Sequence, residues 1–137
     1  MPAEIWEHCN TVEECYEFML AYAAQGHPSD EGSKPGARIR EFLRRAATAI
    51  AGLVEECLKV VKERRLEPAE KYQTFLAVLD RDARDSLAAI DLVLAQPSIS
   101  SQLVDNLNAS IHLRALLTDL FLVSDILRSR LASRQIR

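Results

Sequence analysis

Glycine and proline, the two residues that break helices, are confined to a few places in this 137-residue chain. Three of its four glycines and two of its five prolines lie within residues 26–36. Elsewhere the apolar residues recur at intervals of three and four, which is the spacing of one face of an α-helix. The sequence shows no alternating strand pattern and no Asn-Gly or Asp-Gly hairpin turn. These features predict an all-α protein.

Helix boundaries follow from the apolar spacing and from residues that cap helices. Thr11 and Glu14 form a capping box, which predicts the start of a short first helix. A second helix is expected over about residues 37–64, and a third from Pro68, at its first position, to about residue 95. Ser98 is expected to cap a last helix that continues to about residue 131. One short and three long helices are therefore predicted.

The lengths of the connections predict how these helices are arranged. Residues 65–67 and 96–98 form connections of about three residues, and such short loops join antiparallel neighbours. We expect a single domain over the whole chain, an up-and-down antiparallel bundle of four helices. Residues 26–36 are expected to form a flexible loop, and residues 133–137 a frayed tail. Polar residues at 106–110 interrupt the last apolar face, so the continuity of that helix stays open.

Composition and charge narrow the class of protein. With 48% hydrophobic residues the chain can build a core, yet no stretch approaches the roughly 20 apolar residues that span a bilayer. The formal net charge of −3 argues against a nucleic-acid partner, because nucleic-acid binders are usually basic. No basic residue precedes Lys34, and an odd number of cysteines favours reduced thiols. We therefore expect a soluble, cytoplasmic protein with no membrane partner.

Motifs for metal or cofactor chemistry are weak. No Glu or Asp lies three residues before a histidine, which argues against a di-iron or di-manganese carboxylate bundle. His8, Cys9 and Cys15 are three candidate metal ligands in one segment, but a tetrahedral zinc site needs a fourth ligand. His112 could bind haem or a metal within the bundle, although a surface histidine is the simpler interpretation. No cofactor is predicted, and a small-ligand, haem or metal-binding bundle remains the alternative hypothesis.

Catalytic motifs are equally hard to find. The chain shows no Ser-His-Asp arrangement and no glycine-rich loop that ends in Gly-Lys-Ser or Gly-Lys-Thr. The glycine-containing segment at 26–36 carries two acids, Asp30 and Glu31, which would repel a phosphate. A non-enzymatic role is therefore favoured.

Uneven charge and aromatic content point to a partner surface. Residues 1–33 hold seven acids and no Lys or Arg, and half of the eight aromatic residues lie in the first 22 positions. A basic cluster follows, which could bind phosphate but more simply pairs with the acidic segment, within the chain or between subunits. Asp82 lies beside an apolar stripe and could bind a partner's arginine, although a solvated helix face is the simpler interpretation. The candidate partner-binding residues are Trp6, Phe18, Tyr22, Arg40, Arg44, Arg45 and Asp82.

These observations favour a protein that acts through protein–protein association. It would be a homo-oligomer, with a dimer favoured, or an adaptor or regulatory subunit. Exposed aromatic side chains are enriched at such interfaces.

Overall fold

The protein is a bundle of helices. The computed structural model describes the backbone of residues 2–136 and the side chains of residues 4–132. Within this range lie five α-helices: α1 Pro2–Ala24, α2 Lys34–Glu63, α3 Ala69–Leu94, α4 Ser101–Ala109 and α5 Ile111–Ile136. No strand is present in the described residues. The predicted all-α bundle is therefore confirmed, while the frayed tail predicted for residues 133–137 lies outside the residues whose side chains are described.

The first helix is longer than predicted, because α1 begins at Pro2 and passes through the capping box without a break. Ile5 and Cys9 precede Val12 by seven and three residues, so they continue its buried face for two more turns. Burying a side chain the size of Ile5 stabilises the fold by about 1.5–3 kcal/mol, whereas a side-chain cap contributes about 1 kcal/mol. The start predicted at Thr11 was wrong because burial outweighs the local capping signal.

The last helix is divided into α4 and α5. Ser110 separates them, with φ −62° and ψ 140°, which is extended backbone. Serine side chains compete with helical hydrogen bonds and favour helix ends, so the polar stretch at 106–110 ends one helix and begins another. The first piece is capped by Ser100, whose Oγ accepts a hydrogen bond from Leu103 N at 3.0 Å, and not by Ser98. The bundle thus has five helices in its described range where four were predicted.

Because the helix is broken at Ser110, α4 and α5 together take the place of the fourth helix that was predicted. α1 packs against α2 and α4, α2 packs against α3, and α3 packs against α5, which has little contact with α1. At the crossing of α1 and α2, a Cβ on Gly52 would lie 3.3 Å from His8 Cε1. This close approach accounts for a glycine within a long helix, where it is otherwise less favourable than alanine.

The connection between α1 and α2 is held by hydrogen bonds. It was predicted as a flexible loop over 26–36, but α2 already begins at Lys34 after its N-cap, Ser33. His27 N donates to Ser101 Oγ at 2.7 Å, and Ser101 N donates to His27 O at 2.8 Å. The Asp30 carboxylate accepts a hydrogen bond from Ile99 N at 2.7 Å. The segment is therefore joined to the α3–α4 connection.

Candidate partner-binding surface

Helix α5 carries apolar side chains on its outer side as well as on its core side. Ile111 is 74% exposed, Phe121 56% and Leu122 49%, and Ile126 is exposed as well. Exposed apolar side chains that lie close together on a protein surface usually mark an interaction site. Among the described residues, no helix of this chain covers these side chains. The outer side of α5 is therefore the first candidate for a surface that a partner covers.

An apolar cleft lies between α5 and the first half of α3. Its walls are Tyr72 and Phe75 from α3 with Leu122 and Ile126 from α5, and its floor includes Cys57 of α2. The cleft volume is about 360 Å³, within the usual range of small binding pockets. Lys71 is the single charged residue among the described residues that line the cleft. The cleft can therefore accept a large apolar group.

An acidic pair lies one turn from the apolar cleft. Asp82 on α3 and Asp119 on α5 face each other within hydrogen-bonding reach. Burial, followed by the hydrogen bond and the charge of Asp82, raises the pKa of Asp119 to about 7. Two ionised carboxylates have no hydrogen to share, and no described residue donates one to the buried Asp119 Oδ2. The pair therefore lacks a partner cation or a proton when both carboxyls are ionised.

Beyond the acidic pair, the helices meet at His112. Its Nδ1 lies 3.8 Å from Asp85 Oδ2, and its backbone carbonyl accepts a hydrogen bond from Ser86 Oγ at 2.9 Å. His112 is exposed, so it lies on the outer surface of the bundle and not among the core side chains. We call the surface made by Val78, Asp82, Asp85, Ile111, Asp119, Leu122 and Ile126, together with the apolar cleft, the α3–α5 seam.

Two of the predicted partner-binding residues belong to the interior. Tyr22 is buried, and its hydroxyl donates to Ile99 O at 2.7 Å. The Arg40 guanidinium binds Asp30 at 2.8 Å and donates to Leu94 O and Gln96 O at 3.0 and 2.9 Å. It thereby caps the end of α3 and holds the α1–α2 connection. Both side chains therefore hold the fold together in this structure.

The remaining predicted aromatic and basic residues lie on other faces. Phe18 stacks on Phe42 with ring centroids 4.1 Å apart. Arg45 lies over the Phe42 ring at 5.1 Å and 3.5 Å from Glu14, which is the predicted pairing with the acidic segment. Trp6 is half-buried under Arg128, whose guanidinium carbon is 4.9 Å from the ring centroid.

Arg44 is exposed, and its side chain has no ion pair among the described residues. The structure therefore does not bring the predicted set of partner residues together on one surface. Of that set only Asp82 lies on the α3–α5 seam.

The candidate metal ligands do not converge. Cys9 and Cys15 are buried in the core, and burial raises the pKa of both thiols, that of Cys9 to about 11. His8 packs at Gly52, and His112 lies on a different helix pair. Within the described residues, no group of three or more His, Cys, Asp or Glu side chains is placed to hold a metal ion.

The sequence contains one signal for the seam, which was not among the predicted partner-binding residues. Residues 120–123 are four apolar residues in succession, and on a helix they cover more than one face. Leu120 and Val123 are buried, which leaves Phe121 and Leu122 exposed. Asp119 carried no such signal, because its partner Asp82 is 37 positions earlier in the chain.

Comparison of the chain with family models, with curated proteins and with solved structures gives no match. No helix in the described range has the length and apolar character needed to cross a bilayer.

The acidic pair predicts how stability depends on pH. The folded pKa of Asp119, about 7, lies above its ordinary value of 3.8, so the folded state holds this proton more tightly than the unfolded state. Stability should therefore fall as the pH rises from about 4 to about 7, and stay lower above that. Asp119→Asn cannot titrate and can donate to Asp82, so it should be more stable than the parent at pH 8 by about 1–3 kcal/mol.

Urea unfolding between pH 4.5 and 8.5 measures this effect. The matched control is Asp125→Asn, an exposed carboxyl on the same helix, which should keep the pH dependence of the parent. An Asp119→Asn variant whose stability falls with pH as steeply as that of the parent would contradict the assignment.

Proposed function

We propose that this protein is non-enzymatic and works by binding another protein chain through the α3–α5 seam. The observation that carries the proposal is the apolar cleft, flanked along the same seam by exposed apolar side chains. Large exposed apolar patches on soluble proteins are usually binding sites. Of the residues predicted to bind a partner, only Asp82, on α3, belongs to this surface.

The energetics of the seam favour a protein partner. Leu122 is 49% and Ile126 38% exposed, so covering what remains of each side chain gains about 0.5–1.5 kcal/mol. Binding energy at interfaces is concentrated where an anchor side chain fills a desolvated pocket, and the apolar cleft offers such a pocket. The polar groups beside it would form the rim of the interface.

The length of the seam favours a partner helix over a small ligand. Ile111 and Ile126 are 15 positions apart on α5. At 1.5 Å per residue this is about 22 Å, which matches a helix of about four turns. A small molecule in the cleft would leave Ile111 exposed.

Site-specific photo-crosslinking in the native cell tests the proposal. A benzoylphenylalanine placed at Ile111 should give a discrete crosslinked product, because this 74% exposed side chain would lie under the partner. The same group at Glu17, exposed on α1, is the control position and should give much less. Equal yields at the two positions would overturn the proposal, and a product of twice the chain mass would identify the partner as a second copy.

A charge in the wall of the cleft should prevent association. Leu122→Lys is expected to lower the crosslinking yield from position 111 by at least about tenfold, because the new ammonium would have to be desolvated on binding. The matched control is Leu20→Lys on α1, since the two leucines are 49% and 46% exposed. Both variants should unfold within about 0.5 kcal/mol of the parent. Equal loss of crosslinking in the two variants would contradict the proposed surface.

A further inference from the structure

We infer that the segment bound by the α3–α5 seam is a helix that carries an arginine or lysine about one to two turns from the large apolar residue it places in the cleft. This inference rests on the proposed function and specifies the chemistry of the partner. It follows from the position of the acidic pair relative to the apolar cleft.

The spacing follows from positions along both helices. On α5, Asp119 precedes Leu122 by three residues and Ile126 by seven. On α3, Asp82 follows Phe75 by seven residues. The acidic pair therefore lies about 5–10 Å along the seam from the middle of the cleft wall. A helix lying along the seam spans that distance in three to seven residues, whichever way it runs.

When both carboxyls are ionised, the acidic pair lacks a cation. None of the described Lys, Arg or His side chains forms a salt bridge with Asp82 or Asp119, whereas Asp80, two residues before Asp82, pairs with Arg84 at 3.0 Å. Asp119 Oδ2 is buried and has no donor among the described residues. A guanidinium presents five N–H donors in a planar fork, so it can serve both carboxylates at once.

A second copy of this chain fits the seam less well. Asp119 lies midway between Ile111 and Ile126, so a two-fold axis through the middle of the seam would place Asp82 and Asp119 of one copy opposite those of the other. Like charges placed together in this way oppose association. Charge complementarity therefore favours a different chain, with a basic residue opposite the pair.

Selection from a displayed library tests the inference without knowledge of the natural partner. Random helical peptides of about 16 residues are selected against the full-length protein and aligned on their largest apolar residue. We expect Arg or Lys to be enriched three to seven positions from that residue. Binding should fall at least about tenfold on Leu122→Lys, which blocks the cleft, and by a similar factor on the Asp82→Asn/Asp119→Asn protein.

A neutral isostere isolates the charge. In the best selected peptide the basic residue is replaced by citrulline, which keeps the shape of arginine without its charge. Affinity should fall at least about tenfold for the parent protein and stay unchanged for the Asp82→Asn/Asp119→Asn protein. Circular dichroism of each variant checks that the helices remain.

The outcomes separate the two proposals. This inference would be overturned, and the proposed function left standing, by either of two results. The selected peptides could need the cleft but show no preference for Arg or Lys, or the citrulline peptide could bind as tightly as the arginine peptide. No enriched peptide, or peptides insensitive to Leu122→Lys, would overturn both. A dimer seen by sedimentation that becomes tighter in Asp82→Asn/Asp119→Asn would identify a second copy as the occupant and also overturn the inference.

Discussion

Replacing Arg40 by methionine is expected to lower the free energy of unfolding by about 2–4 kcal/mol. The guanidinium makes three interactions at once, with the Asp30 carboxylate at 2.8 Å and with Leu94 O and Gln96 O at 3.0 and 2.9 Å. Methionine keeps much of the apolar stem but leaves a carboxylate and two carbonyl groups without their donors. The loss is large because the Asp30 side chain is only 11% exposed and cannot regain full hydration.

Urea unfolding at pH 7 measures the loss, and Arg44→Met is the matched control. Arg44 lies one turn further along α2 and is exposed, so its replacement should change stability by no more than about 0.5 kcal/mol. A double-mutant cycle with Asp30→Asn should show strong coupling, because each single change removes the same ion pair. Similar stabilities of Arg40→Met and Arg44→Met would show that Arg40 does not hold the connection.

The contribution of Asp30 should also depend on pH. Burial alone would raise its pKa, but hydrogen bonds from Ile99 N and from Arg40 hold the pKa below its ordinary value of 3.8. Its stabilisation is therefore complete at neutral pH and is lost as the pH falls below about 4. The difference between the parent and Arg40→Met should narrow over that range.

The variant Gly36→Ala is expected to destabilise the protein by about 2–4 kcal/mol, although alanine favours helices over glycine by about 1 kcal/mol. A Cβ at position 36 would overlap the backbone of Asp30, including its carbonyl oxygen. Backbone atoms cannot rotate away as a flexible side chain can, so the connection or the start of α2 must shift. That shift would also disturb the hydrogen bonds of Asp30 with Arg40 and Ile99.

Thermal or urea unfolding measures this effect, and Ala37→Gly is the neighbouring control. Ala37 is exposed in the same helical turn, so its change to glycine should cost no more than about 1 kcal/mol. Gly36→Ala, which adds a methyl group, should therefore lower the free energy of unfolding more than Ala37→Gly, which removes one. The reverse order would show that Asp30 does not pack closely on α2.

Local signals predicted the middle of the chain well. The second and third helices were expected over about 37–64 and from Pro68 to about 95, and α2 and α3 span Lys34–Glu63 and Ala69–Leu94. Both have one regular apolar stripe and are ended by local breakers, so residues within a few turns determine their limits. Local signals did not predict the start of α1, because Ile5 and Cys9 are helical through burial against other helices.

Most of the candidate site was outside the reach of such local reasoning. Tyr22 looked like a partner residue because it is aromatic, but its hydroxyl partner, Ile99, is 77 positions away. Arg40 looked like part of a free basic cluster, yet its carbonyl partners are 54 and 56 positions away. The sequence shows which side chains need a hydrogen-bond partner and does not show which distant group meets them.

The sequence by itself determined that this is an all-α protein and where its second and third helices lie. These properties depend on backbone preferences and on apolar periodicity, which act between residues close in the chain. The tertiary structure alone decided that α4 packs on α1, whereas α5, after Ser110, packs on α3. That packing places Asp82 against Asp119 and opens the apolar cleft, because both features need side chains from helices that are distant in sequence.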